Sequence, residues 1–172
     1  MIRKKNKYSR PKKAFEISRI KEENELLKRY ALKNKREIWK TIAKVSYFRK
    51  RAMALAKSPI EEQEVLFNKL RNLGLKVNSI ADVLALKVND LLERRLPTIV
   101  FKKNLAQTIK QARQMVVHKH VMVGNRVVNI PSYLVSVSEE NSISLKKPIK
   151  KTEKKEEQSE IKPKESATEV KQ

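Results

Sequence analysis

Residues 105–134 read LAQTIKQARQMVVHKHVMVGNRVVNIPSYL, and this stretch decides the fold. Thr108-Ile109-Lys110-Gln111 has the form of a capping box, a hydroxyl to accept a first-turn N–H and an amide to reach back. The spacing predicts a helix whose Ile109, Ala112, Met115 and Val116 face inward. VMV and RVV then flank Gly124-Asn125. A two-residue gap of this composition predicts a tight hairpin with positive φ angles. PSYLVSV and the later SISL read as further short strands. The unit is α+β and too small to hold a substrate pocket, yet it carries many cations and amides.

Upstream, the pattern is helical. Phe15, Ile20, Leu27 and Tyr30 predict a first helix from Ala14, ended by the polar break LKNKRE at 32–37. Ile38, Ile42, Val45, Phe48, Ala52 and Leu55 form the stripe of a second helix, with Lys40, Lys44, Arg49, Lys50 and Arg51 mostly off it. Trp39, Tyr47 and Phe48 lie at or beside this stripe and read as core. Ser58-Pro59-Ile60-Glu61 reads as a start with serine as cap and proline at the first helical position. Its helix runs to Leu73 and stops at Gly74. Ser79-Ile80-Ala81-Asp82 opens a short helix, and Asn89 caps another. Pro97 begins TIVFKK, which ends at Asn104 in the left-handed position.

Composition sets the partner class. The 172 residues hold 41 Lys+Arg against 19 Asp+Glu, a net charge of +22. Such an excess repels itself when folded and points to a polyanion, nucleic acid before an anionic membrane. No cysteine is present, which removes disulfides, cysteine zinc knuckles and thiol catalysis. Two glycines in the whole chain argue against glycine-rich phosphate loops. No apolar run approaches the ~20 residues that span a bilayer, and none follows the basic start to make a signal peptide. Four segments result: a basic arm over 1–13, disordered alone and ordered on RNA; a helical region over 14–93; a helix–helix–hairpin domain over 94–145; and a disordered charged tail over 146–172. The tail holds nine of the 41 cations and six of the 19 acids, so the ordered part carries most of the excess.

On a helical wheel Lys110, Gln114 and His118 point away from the apolar stripe, with Gln111 and Arg113 flanking it. Thr108 and the first free N–H groups make a phosphate seat. Arg94, Arg95, Lys102 and Lys103 precede this helix; Lys119, His120, Asn125 and Arg126 follow it. Cations hold phosphates, whereas amides and hydroxyls hold sugars and base edges. Aromatics are 5% of the chain, so shape and backbone recognition of folded RNA fits better than stacking of single strands. His118 and His120 are placed on different faces with no third ligand nearby, so no metal is expected. Glu61, Glu62 and Glu64 serve the dipole of their helix. No nucleophile–base arrangement or cofactor motif rises above noise.

The segment RRLPTIVFKKNLAQTIKQARQMVVHKHVMVGNRVVNIPSYLV, with its helix–QARQ–hairpin–PSY order, resembles the S-four RNA-binding domain, named after the fourth protein of the small ribosomal subunit. That domain also occurs in pseudouridine synthases, tyrosyl-tRNA synthetases and heat-shock RNA binders. KEENELLKRYALKNKREIWK, LRNLGL and VNDLLERRLPT resemble the archaeal and eukaryotic form of the ribosomal family itself, over roughly residues 10–140. The resemblance implies binding of small-subunit (16S-type) rRNA in its 5′ domain, early assembly, and a place near the channel by which mRNA enters. Small-subunit proteins three and five would be neighbours, and decoding accuracy would be influenced. It carries an RNA face of Arg94, Arg95, Lys102, Thr108, Lys110, Gln111, Arg113, Gln114, His118, His120 and Arg126. Asn104 stands where relatives often have Gly, and Pro97 where Gln is common; both residues suit their conformations. The cysteine zinc site of some relatives is absent.

No membrane, small-molecule substrate, metal or cofactor is expected, and the chain is expected not to be an enzyme. The alternatives are the RNA-binding part of an RNA-modifying enzyme, which would need about 150–200 further residues, and a free stress-related RNA binder.

Overall fold

The structure, a computed structural model, describes residue 6 and residues 8–146. Residues 1–5 and 7 of the expected basic arm, and 147–172 of the expected tail, lie outside the described residues. The elements run α1 (Ile17–Arg29), α2 (Lys35–Leu55), α3 (Ile60–Asn72), α4 (Ile80–Ala85), α5 (Val88–Glu93), α6 (Leu96–Lys102), α7 (Ile109–Val117), β1 (Val121–Val123), β2 (Arg126–Val127), α8 (Val137–Glu140) and β3 (Ile143–Leu145). The α+β class is as expected: a helical first part, then a small antiparallel sheet of order β2-β1-β3.

Two apolar clusters hold these elements. Val45, Phe48 and Ala52 of α2 pack with Leu66 and Leu70 of α3, Val83 of α4 and Leu91 of α5. Leu96 and Val100 of α6 pack with Ala112, Met115 and Val116 of α7, Val121 of β1 and Val135. Between them the segment around Leu134 runs antiparallel to Arg94–Leu96. The Leu96 N–H donates to the Tyr133 carbonyl at 2.9 Å and the Val135 N–H to the Arg94 carbonyl at 3.0 Å.

Helix starts mostly follow their capping signals. Ser79 and Asp82 bond reciprocally at the head of α4. At α7 the Thr108 hydroxyl accepts the Gln111 N–H at 3.1 Å. The Gln111 carbonyl oxygen accepts from Gln107 at 2.9 Å, one residue upstream of the expected return bond. Two starts differ. Pro59 occupies the N-cap position of α3 with no side-chain cap, and Ser58 instead offers its carbonyl to the Gln63 amide at 2.9 Å. Lys87, not Asn89, precedes α5, because the Asp90 carboxylate accepts the Lys87 N–H at 2.7 Å.

Four helix ends share one geometry, a left-handed residue followed by an N–H that reaches back five residues. The left-handed residues are Ala31 (φ 47°), Gly74 (φ 75°), Asn104 (φ 56°) and Lys119 (φ 62°). The back-bonds are Leu32 to Leu27 at 3.0 Å, Leu75 to Leu70 at 3.1 Å, Leu105 to Val100 at 3.2 Å and His120 to Met115 at 3.0 Å. Leucines follow three of these positions, so burial of the returning side chain helps hold a conformation that costs a non-glycine residue about 1–2 kcal/mol.

The structure corrects several sequence expectations. α1 begins at Ile17, and Phe15 is 90% exposed. The buried position on α1 is Glu23, 4% exposed. It is held by Arg19 and the Trp39 indole N–H, both at 2.9 Å, and by Lys35 at 3.2 Å. Trp39 is half-buried while Tyr47 and Ile42 are exposed. In the hairpin only Gly124 has a positive φ, 58°, the arrangement of a II′ turn. SISL supplies β3, pairing Val121 with Leu145 and Val123 with Ile143. PSYLVSV does not form a strand: Ser136 and Glu139 bond reciprocally and start α8, so a local cap overrides the β preference of the valines.

Gly74 has a second constraint. A Cβ there would meet the Arg94 guanidinium carbon at 2.6 Å. Gly74→Ala should therefore destabilise the fold by about 2 kcal/mol, whereas Ala31→Gly should be neutral or stabilise it by several tenths. Urea denaturation of the two variants checks the contrast.

Candidate nucleic-acid interface

The outer face of α7 is as its periodicity predicts. Lys110, Gln114 and His118 are exposed along one row, opposite buried Ala112, Met115 and Val116, with Ile109 half-buried. Gln111 and Arg113 flank the row, half-buried. At its end Lys119 turns the chain in the left-handed region, so the His118 and His120 rings lie side by side with centroids 6.4 Å apart. That corrects the expectation of different faces. Among the described residues no three His, Cys, Asp or Glu side chains group to hold a metal ion. Asn125 and Arg126 are exposed on the hairpin. The Tyr133 phenol donates to the Glu139 carboxylate at 2.7 Å, which lowers Glu139 against the opposing effect of burial and raises Tyr133, with Arg126 a lesser contributor.

Four cations expected on the RNA face are engaged inside the protein. Arg95, 5% exposed, points its guanidinium to Glu37 at 2.7 Å and donates from Nε to the Pro131 carbonyl at 3.2 Å. Arg113 reaches the other Glu37 oxygen at 2.6 Å and the Ala31 carbonyl at 3.3 Å. Glu37 on the first turn of α2 is thus clamped by α7 and by the residue that starts α6. Burial raises the Glu37 carboxyl, but hydrogen bonds from Arg113 and Arg95 outweigh it, and the net shift is downward. Burial also pulls the Arg95 guanidinium down, opposed by Glu37. Arg94 pairs with Glu140 at 2.8 Å and donates to the Val135 carbonyl at 3.1 Å, tying α8 to the junction. Lys103 donates to the Glu140 carbonyl, and exposed Lys102 meets exposed Glu93 at 3.1 Å. Such a surface pair contributes about 0–1 kcal/mol, so Lys102 can exchange it for a phosphate.

Beside the clamp a cleft of about 400 Å³ opens between α2 and the Pro131-Ser132 loop. Arg36, Lys40, Thr41 and Lys44 line its α2 side. With Glu37 matched by two arginines, Arg36 and Lys40 give this rim a positive character. Lys40 also lies 6.0 Å from the Tyr8 ring, which packs on Trp39 at 6.1 Å. The sequence showed these cations off the apolar stripe, but nothing in it joined them to residues ninety positions later. The assembled surface offers cations, amides and a histidine pair for contact.

Residues 94–141 match the family model described as the S4 domain. The chain is 44% identical over 147 residues to small ribosomal subunit protein uS4 of Picrophilus torridus, covering 80% of each. It is 42% identical over 144 residues to the protein of the same name from Methanococcus aeolicus, covering 80% of this chain and 81% of that one. The uS4 of Nanoarchaeum equitans is 41% identical over 177 residues, covering 93% and 98%.

The clamp makes a pH-dependent contribution. Because the Glu37 carboxyl is lowered in the fold, its stabilisation is complete above the ordinary carboxylate value of about 4.3 and is lost as pH falls through the folded value. Urea titrations should show this loss in the parent chain and its absence in Glu37→Gln. At neutral pH, Arg113→Ala should cost about 2–3 kcal/mol, against under about 0.5 kcal/mol for Lys110→Ala.

Proposed function

Since the chain belongs to the family of small ribosomal subunit protein uS4, we propose that it is a structural component of the small subunit that grips folded 16S-type rRNA and catalyses nothing. The observation that carries this reading is the capped helix α7 with its exposed row Lys110, Gln114 and His118. A helix N-terminus and a lysine hold phosphates, while the amide and imidazole address sugar and base edges. Thr108, Lys119, His120, Asn125, Arg126, Lys102 and Lys103 extend the surface. Arg95 and Arg113 act chiefly from beneath, tying α7 and the start of α6 to α2 through Glu37, while Arg94 holds α8. Arg36 and Lys40 on the cleft add a second track for the backbone, so one RNA segment spans both parts of the chain.

The finer reading places the contact in the rRNA 5′ domain, where a binder that bridges two regions of RNA promotes early assembly. It also places the protein on the ribosome in the cytoplasm, near the channel by which mRNA enters. There it would neighbour small-subunit proteins three and five and influence accuracy. A highly basic scaffold of this size suits that position, because it neutralises closely packed phosphates.

Binding to a 5′-domain rRNA transcript should fall about 10³–10⁵-fold between 50 and 200 mM salt if some 6–10 phosphates are engaged. Lys110→Glu should weaken it about tenfold or more with an unchanged melting temperature. Arg113→Glu should lose both binding and stability, since a carboxylate would then face Glu37. A salt-independent affinity, or a melting temperature lowered equally by both changes, would contradict the reading.

A further inference from the structure

In a chain of net charge +22, α3 presents a face of the opposite character. Among the described residues Glu16, Glu23, Glu37, Glu93 and Glu140 form ion pairs and Asp82, Asp90 and Glu139 bond at helix starts, which leaves Glu22 and Glu25 of α1 and three acids of α3. Glu61, Glu62 and Glu64 form no such contact and are exposed. Beside them Ile60 is 73% and Val65 66% exposed. Glu61 and Val65 are one turn apart on the same row, with Glu64 adjoining. The helix dipole accounts for acids in the first turn, but not for uncovered aliphatic side chains next to them.

The row leads into a groove of about 490 Å³, lined by Val65, Asn68, Lys69, Asn72 and Leu73 of α3 and its end and by Ser136 across it. Val137, which follows Ser136 as the first residue of α8, is 51% exposed. A shallow groove with aliphatic Val65 and Leu73 among amides, and carboxylates beyond one end, fits a chain that brings both a cation and an aliphatic anchor. Lys69 on the floor of the groove limits the negative field to the Glu61–Glu64 end.

We propose that this groove docks a lysine- and arginine-rich segment of a neighbouring protein in the particle, its cations over Glu61 and Glu64 and an aliphatic side chain against Val65 and Val137. The inference rests on the ribosomal reading above. It divides the molecule into an RNA-holding side on α7 and the α2 cleft and a protein-holding side on α3.

The absence of cysteine makes a site-specific test direct. Val65→Cys, and separately Val137→Cys, is labelled with a thiol-linked benzophenone, assembled into small subunits and irradiated after sedimentation. The expected result is an adduct to a basic segment of another subunit protein. Its yield should fall at least about threefold when Glu61→Lys and Glu64→Lys are added, with the chain still folded and sedimenting and only the small loss of stability that cations at a helix start bring. Adducts only to rRNA, to residues 147–172 of the same chain or to a second copy would overturn the proposal. So would the absence of an adduct from either position, or a yield indifferent to the charge reversal. If the unsubstituted chain fails to sediment with small subunits, the ribosomal reading falls and takes this one with it; if it sediments and neither thiol meets a basic protein segment, only this one falls.

Discussion

Everything in the arrangement of the two apolar clusters depends on one carboxylate. Glu37 accepts from Arg95 at 2.7 Å and from Arg113 at 2.6 Å, and it is the only acid that touches both α6 and α7 among the described residues. Two guanidiniums on one carboxylate leave a net positive charge near the junction, so the clamp is stable only where further donors and acceptors satisfy it. The Pro131 and Ala31 carbonyls do this. Those two carbonyls belong to turns on opposite sides of the junction, which ties four segments to one ion cluster. The geometry of the outward row on α7 is then set relative to the cations of α2.

The same logic governs the rest of the charge. A strongly basic chain has few acids, and among the described residues Glu23, Glu37 and Glu140 bind cations within the fold while Asp82, Asp90 and Glu139 start helices. Glu23, paired with Arg19 of its own helix, holds α1 against α2 through Trp39 and Lys35, and Glu140 holds α8 through Arg94. Engagement of those arginines leaves lysines, amides and histidines as the exposed set on α7. Lysine suits that position, since its compact ammonium contacts phosphate from many directions without a fixed partner geometry. On α7 the division between an internal arginine and an external lysine follows from the bidentate fit of the Arg113 guanidinium on the Glu37 carboxylate.

Local signals were legible wherever the chemistry is local. Thr108, Ser79, Gly74 and Asn104 each act where their type predicts, because capping and left-handed stops involve residues within one turn. The apolar rows of α2, α3 and α7 follow from period alone. Ser58, Asn89 and the valines near 135 misled, since each had a neighbour with a stronger local bond: Gln63, Asp90 and Glu139. Ala31 and Lys119 carried no signal at all. Their left-handed turns are held by what packs and bonds around them rather than by what they are.

Charge, periodicity and turn chemistry in the chain were thus enough to specify an α+β protein with a cationic capped helix and a hairpin, because these properties act over a few residues. Pairing was decided elsewhere. Arg95 and Arg113 find Glu37 from 58 and 76 positions away, and a string of letters does not say which of many cations meets which acid. Only folding brings them within hydrogen-bond distance, and that encounter separates Arg95 and Arg113, which build the surface, from the cations that remain exposed on it.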